Sequence, residues 1–453
     1  MRNCMQPLSS DGKLFRVFRP CAVILALLGG GLDAGSAFAA PPAANQDESK
    51  VRPYTLPDAL VCLNGTPVRT AQDWTDIRRP ELLKSFTELM FGKAPPAPQK
   101  VDWRVVSEKK DALGGLAIRK EIEVVLADQP KPVVMTMLLY IPRSQAPAPV
   151  FWGLNFRGNH AITAEPDVAL NPNWITDKAI GVVNHRATDE ARGTNARRWP
   201  LEDILRRGYA VATAYYGDID PDFDDGFQNG IHPAFYREGQ TAPAPDEWGT
   251  IAAWAWGLSR GLDVLEQEPL VDARHVAVLG HSRLGKTALW AGASDPRFAM
   301  VISNDSGCGG ASLSRRNFGE SIARLNKTFP YWMCGNFKQF SDRETELPFD
   351  QHELIALIAP RPVCIGSAEQ DLWADPKGEF LSGRYADPVY RLLGTTGMGG
   401  KAPPEEMPAV GHPLIAGPIS YHIRAGKHDL ILEDWEVYLD MGDRYLKNKP
   451  ANP

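Results

Sequence analysis

The sequence predicts an α/β fold: a three-layer sandwich in which a mostly parallel, mixed sheet carries helices on both faces. Three observations predict it. Apolar, β-rich segments recur along the chain. Those beyond residue 200 alternate with helical patterns, and the earlier ones follow one another closely. Alternation of strand and helix requires crossover connections, which build a parallel sheet covered on both sides. Closely spaced strands read as antiparallel, so the two patterns together give a mixed sheet.

In chain order, the early strands are expected over 117–126, 133–141 and 149–155. A helix over 201–207 leads to a strand over 209–215, and a long helical pattern follows over 248–266. Strand 275–279 runs directly into helix 285–293, then strand 300–303. Helix 352–358 precedes strand 362–366; strand 419–423 and helix 432–446 close the chain. With no internal repeat or long linker beyond Val51, residues 51–453 read as a single catalytic domain.

The 453 residues are 43% hydrophobic and 23% charged, an ordinary globular balance. A net charge of −6, with no basic tail or block of like charge, argues against nucleic acid as the main partner. The first forty residues differ from the rest. Arg2, Lys13, Arg16 and Arg19 form a basic leader, Cys21 opens a short apolar run, and Ala37-Phe38-Ala39 is an A-x-A cleavage signal. This is a secretory signal peptide over 1–39, too short in its apolar run to span a membrane. The mature chain then starts near Ala40, residues 40–50 form a loose leader, and the address is secreted or periplasmic with no membrane anchor after cleavage. Of six cysteines, Cys62, Cys308, Cys334 and Cys364 lie beyond the leader. Their three possible pairings stay open, with buried free thiols plus one bridge at most as the expectation. No C-x-x-C spacing marks a zinc or redox site.

The most informative segment is His275 to Lys286, in which an apolar strand meets Gly280-His281-Ser282-Arg283-Leu284-Gly285-Lys286 and a helix begins at once. Strand, sharp turn and helix are the setting of the nucleophile elbow of α/β hydrolases, with Ser282 as nucleophile. A side chain at Gly280 would crowd the tight crossing, and a serine at the helix N-terminus suits an oxyanion forming on an attacked carbonyl. The usual pattern is Gly-x-Ser-x-Gly; here the second glycine, Gly285, comes one residue later. A serine hydroxyl needs a base, and in this fold the chain order is serine, acid, histidine. His428, after the last strand and before the final helix, is the first choice and His412 the second, while His422 within the strand reads as structural. For the acid, Asp371 follows strand 362–366 and Asp305 follows strand 300–303. Both stay open, with Asp375 and Glu369 as understudies of Asp371.

Other signals carry less. Asp218-Ile219-Asp220-Pro221-Asp222 is similar to a calcium loop but has Phe223 at the sixth position and Asn229 at the twelfth, so it reads as an acidic surface loop. Asn155 to His160 is either a polar turn or part of the site near the oxyanion. Trp248, Trp254 and Trp256 on one helix read as core.

At the serine motif the chain resembles the bacterial glucuronoyl esterases, carbohydrate esterase family fifteen. Asn304 to Gly310, Asp371-Leu372-Trp373 and Gly426-Lys427-His428 match as well, so the resemblance spans most of the mature chain. It implies an α/β-hydrolase fold and cleavage of the ester between 4-O-methyl-glucuronic acid of glucuronoxylan and lignin alcohols, by a serine triad with no metal or other cofactor. It implies that Arg283 stabilises the oxyanion, that Lys286 and Glu320 bind the sugar, and that Trp373 is a platform beside the uronate. Asp305 stands where fungal members carry a glutamate acid, one methylene shorter, and some bacterial members use the position of Asp371, which is favoured here. The expected enzyme is a monomer. The rival expectations are an acetyl xylan esterase or other carboxylesterase of this fold, and a carbohydrate-binding protein on a hydrolase scaffold that has lost turnover.

Overall fold

The computed structural model describes residues 44–143 and 147–447; the expected signal segment lies outside the described residues. A nine-stranded sheet forms the centre. Its strands are β1 (Asp102–Asp111), β2 (Ala117–Ala127), β3 (Val133–Pro142), β4 (Ala148–Asn155), β5 (Ala210–Tyr215), β6 (Val271–His281), β7 (Met300–Asn304), β8 (Val363–Ala368) and β9 (Ile419–Arg424). In space they run β1-β2-β3-β5-β4-β6-β7-β8-β9. The pairings β1–β2, β2–β3 and β3–β5 are antiparallel. All pairings from β5 through β4 to β9 are parallel. This is the expected mixed sheet with one correction: β4 does not extend the antiparallel run. β5 is inserted between β3 and β4, because β4 is buried on both faces and pairs in parallel with strands that return through crossovers.

Helices on the two faces of the sheet include α1 (Leu201–Arg206), α2 (Thr250–Leu265), α3 (Arg283–Ser294), α4 (Gln351–Ala356), α5 (Pro376–Leu392) and α6 (Leu432–Gly442). Successive strand residues point to opposite faces, and the core divides accordingly. Val150, Trp152 and Leu154 of β4 join one cluster with α2, α3, α4 and α5, while Phe151 joins a second with α1 and α6. On β6, Val276 and Val278 face the first cluster, Ala277 and Leu279 the second. On β7, Val301 opposes Met300 and Ile302. Two packed faces explain why these strands read as continuous apolar runs rather than alternating ones.

Two expectations about loops change. The run Asp218 to Asp222 is not an acidic surface loop. Asp218 is buried and accepts from Asn171, Asn173 and the Thr136 amide. Asp220 is buried between His232 and the Thr250 hydroxyl, and its carbonyl takes the indole N–H of Trp254. Each carboxylate thus meets its own polar partners inside the protein, the condition for burying such groups. Nor are residues 44–50 loose: Glu48 pairs with Arg316 and Lys377, and the Asn45 carbonyl accepts the Gly319 amide. All four cysteines among the described residues are free and buried. Trp248, Trp254 and Trp256 are core, as expected.

Candidate active site

β6 ends at His281, Ser282 occupies the turn, and α3 starts at Arg283. Ser282 has φ 58° and ψ −128°, a strained conformation for a residue with a side chain, costing about 1–3 kcal/mol. The surroundings hold it there. The Ser282 amide donates to the Asn304 carbonyl at 2.8 Å, and its carbonyl accepts from Gly285 at 2.8 Å and Lys286 at 3.2 Å. A Cβ on Gly280 would lie 1.8 Å from the Leu284 carbonyl oxygen, so only glycine allows this crossing. A Cβ on Gly285 would lie 2.9 Å from the Ser306 Cβ. The shifted glycine therefore serves the close approach of α3 to the loop after β7. The Arg283 amide is at the first helical position, where an α-helix offers no internal acceptor.

His428 lies in the turn between β9 and α6. Its ring sits 4.5 Å from the ring of His281, the residue before Ser282. Its Nδ1 is 2.5 Å from the Asp371 carboxylate; the imidazole is 41% exposed and Asp371 only 6%. Asp305 also converges here, with ligand atoms of Asp305, Asp371 and His428 within 4.8 Å of one another. Its Oδ2 faces the Asp429 amide at 3.3 Å and Arg424 at 3.5 Å. Burial, then the nearby carboxylates of Glu379 and Asp371, push the Asp305 pKa well above the usual carboxylate range. Of the other candidates, His412 is exposed and Glu369 is exposed. His422 is buried against Asp434 at 2.8 Å, and Asp375 is buried against Arg316. His281 is held neutral by burial first and by His428 second.

Lys286 is one turn beyond Ser282 on α3. It is not a solvated helix charge: its Nζ donates to the Ser306 carbonyl at 2.6 Å and lies 3.6 Å from Glu320, both side chains being 5% exposed. Glu320 in turn donates its amide to the Trp373 carbonyl at 2.9 Å. Trp373 is 42% exposed and so is not a core residue. Structure therefore brings Lys286, Glu320 and Trp373 together, and Trp373 is two residues from Asp371.

A family model described as glucuronyl esterase of fungi matches residues 227–394. A carbohydrate esterase from an unknown prokaryotic organism is 47% identical over 411 residues, covering 90% of this chain and 94% of that protein. The chain belongs to the glucuronoyl esterase family. Solved relatives agree. A promiscuous esterase of carbohydrate esterase family 15 from a marine bacterial metagenome superposes with a TM-score of 0.82 at 48% identity, covering 89% of this chain and all of that one. The glucuronoyl esterase of Solibacter usitatus gives 0.82 at 47% identity, over 87% and 99% of the two chains. The α/β-hydrolase fold is that of the family.

Two aromatic residues of this esterase site, Phe329 and Trp332, were not singled out from sequence. Phe329 and Trp332 stack at 3.6 Å, and the Arg283 guanidinium lies 4.7 Å from the Trp332 ring and 5.4 Å from Phe329. Lys286 Nζ approaches the same Trp332 ring at 5.8 Å. Asp222 pairs with Arg283. The aromatic run Phe329-Pro330-Tyr331-Trp332 was the available signal. Phe156, from the turn after β4, packs edge-on to His281 at 6.1 Å. The donors of Asp305, Asp371 and His428 would suit a small cation by spacing alone. However, His428 Nδ1 and Asp371 already engage each other at 2.5 Å, and Asp305 faces Arg424 and the Asp429 amide. A cavity of about 830 Å³ lies elsewhere, between α2 and residues 92–101. Its charged lining of Arg260, Asp263, Asp295 and Arg297 is already mutually paired.

Proposed function

We propose that this enzyme hydrolyses the ester between 4-O-methyl-glucuronic acid of glucuronoxylan and lignin alcohols, by two-step acyl transfer. The observation that carries this is the 2.5 Å contact between His428 and Asp371 beside the elbow at Ser282, next to the buried Lys286–Glu320 pair. Ser282 Oγ attacks the uronate carbonyl as His428 takes its proton. Asp371 holds the imidazole in the tautomer that leaves its far nitrogen free to accept. Arg283 and the N-terminal amides of α3 stabilise the oxyanion. The alcohol departs with the proton, and water, activated by the same imidazole, releases the uronate and restores Ser282. Glu320 accepts from sugar hydroxyls beside Lys286, and Trp373 offers its exposed face to the pyranose. Relatives support the substrate: one from Phanerochaete chrysosporium called 4-O-methyl-glucuronoyl methylesterase is 28% identical over 75% of this chain. Export completes the proposal, with cleavage of the basic, apolar leader near Ala40 releasing a monomeric enzyme. Among the described residues no helix is long and apolar enough to cross a membrane.

The test is turnover of benzyl glucuronate by the mature protein, with Ser282→Ala as control and p-nitrophenyl acetate as comparison. Strong uronate turnover that vanishes in the variant is expected. Acetate cleavage without uronate turnover would keep the triad and remove the uronate assignment.

A further inference from the structure

Asp222 lies in the loop after β5, sixty-one residues before Arg283, and the reaction above gives it no role. Four donors converge on its carboxylate. Tyr216 donates to Oδ2 at 3.1 Å, Tyr331 to Oδ1 at 3.0 Å and the Trp332 indole to Oδ1 at 2.9 Å; the Arg283 guanidinium pairs with Oδ2. The Asp222 side chain is 5% exposed, the Arg283 side chain 26%. The two rings that flank the guanidinium, Trp332 and Phe329, are stacked on each other, and Trp332 is itself fixed through Asp222. One carboxylate thus sets both the edge and the face against which Arg283 rests.

We propose that Asp222 is a positioning residue of this esterase. It holds Arg283 and Trp332 in the arrangement that the oxyanion requires, and it acts through Arg283 rather than on substrate. The inference rests on the role of Arg283 proposed above. Two effects compete. Pairing with a carboxylate weakens the field of the guanidinium at the oxyanion, whereas fixing it aims the donors. Hydrogen bonding weakens steeply with misalignment, and preorganised donors stabilise a transition state because they need no reorganisation. An arginine chain carries large rotamer freedom, and Arg283 is open to solvent on one side. Orientation therefore wins, and losing it slows the chemical step while leaving ground-state binding largely in place.

A double-mutant cycle tests this, using Asp222→Asn, Arg283→Met and the pair, with benzyl glucuronate as substrate and circular dichroism and Tm as checks of folding. Asp222→Asn is expected to lower kcat by about 10- to 100-fold, as displacement of a catalytic group does, with KM near that of the parent. In the Arg283→Met background the same change should cost no further kcat, because groups acting as a unit are not additive. A parental kcat for Asp222→Asn in a folded protein would overturn the inference, as would a full additional loss in the double variant. A parental kcat for Arg283→Met would instead overturn the role of Arg283, and the inference with it. Should Asp222→Asn fail to fold, Tyr331→Phe removes one donor and keeps the carboxylate. It should lower kcat by a smaller factor in the parent and by none beside Arg283→Met; equal losses in both backgrounds would overturn the inference.

Discussion

Two carboxyls meet one imidazole in this site, and they differ in what surrounds them. Asp371 faces the His428 Nδ1 at 2.5 Å. Asp305 faces Arg424 and the Asp429 amide, and its Oδ1 has no hydrogen-bond partner among the described residues. The carboxylate that orients the base should carry the larger catalytic effect. Asp371→Ala is therefore expected to lower kcat by about 1,000- to 10,000-fold, the scale seen when a triad acid is lost, and Asp305→Ala by far less. Steady-state kinetics of the two variants decide, and the reverse ranking would reassign the acid. Which residues were legible at this scale follows from sequence distance. Ser282, Arg283 and Lys286 are close in sequence, and Arg283 and Lys286, three apart on α3, share a face by the helix period. Asp222 meets Arg283 only through the fold, and its own segment carried the signature of an acidic loop.

At the scale of elements, α6 holds the His428 turn on the sheet. Trp435 is fully buried, packs edge-on to Phe151 at 5.5 Å, and donates its indole N–H to the Arg198 carbonyl at 2.9 Å. Trp435→Ala should destabilise the protein by about 3–5 kcal/mol, the usual cost of deleting a buried aromatic side chain. Urea unfolding measures this, and a loss below about 1 kcal/mol would mean that α6 packs independently of that ring. Elements with a continuous apolar run or a clear helical period were legible, as β4, β6 and α2 illustrate. β1 was not, because it is a mostly exposed edge strand whose second half, Ser107 to Asp111, is entirely polar and charged. Nor was α5, seventeen residues long with Pro388 inside. It also contains Gly378, whose amide donates to the Asp375 carboxylate, and Gly383, which packs on Ile365 and Ile419. Such residues read as breakers locally, and only tertiary packing offsets their low helix propensity.

Across the whole molecule, Glu379 of α5 ties the sheet to the site. One carboxyl oxygen accepts the Ser306 and Gly307 amides at 2.8 and 2.9 Å, and the other meets Ser367 at 2.6 Å. Burial pushes its pKa from 4.5 up to about 8. The folded state therefore binds a proton that the unfolded state releases. This contribution to stability is fully present below about pH 4.5 and is lost as pH rises through 8. Glu379→Gln, which does not titrate, should show a shallower fall of Tm between pH 5 and 8 than the parent; identical slopes would mean an ordinary carboxylate there. By itself the sequence determined the α/β class and the strand-to-helix serine turn, and it narrowed the candidate bases and acids to a short list. These depend on local periodicity and on a strained turn that few residues permit. Tertiary structure alone decided the insertion of β5 beside β3, the burial of the Asp218 to Asp222 run, and the meeting of Asp222, Trp332 and Arg283. Those features are contacts between distant segments, and their energy lies in burial and hydrogen bonds that no local pattern encodes.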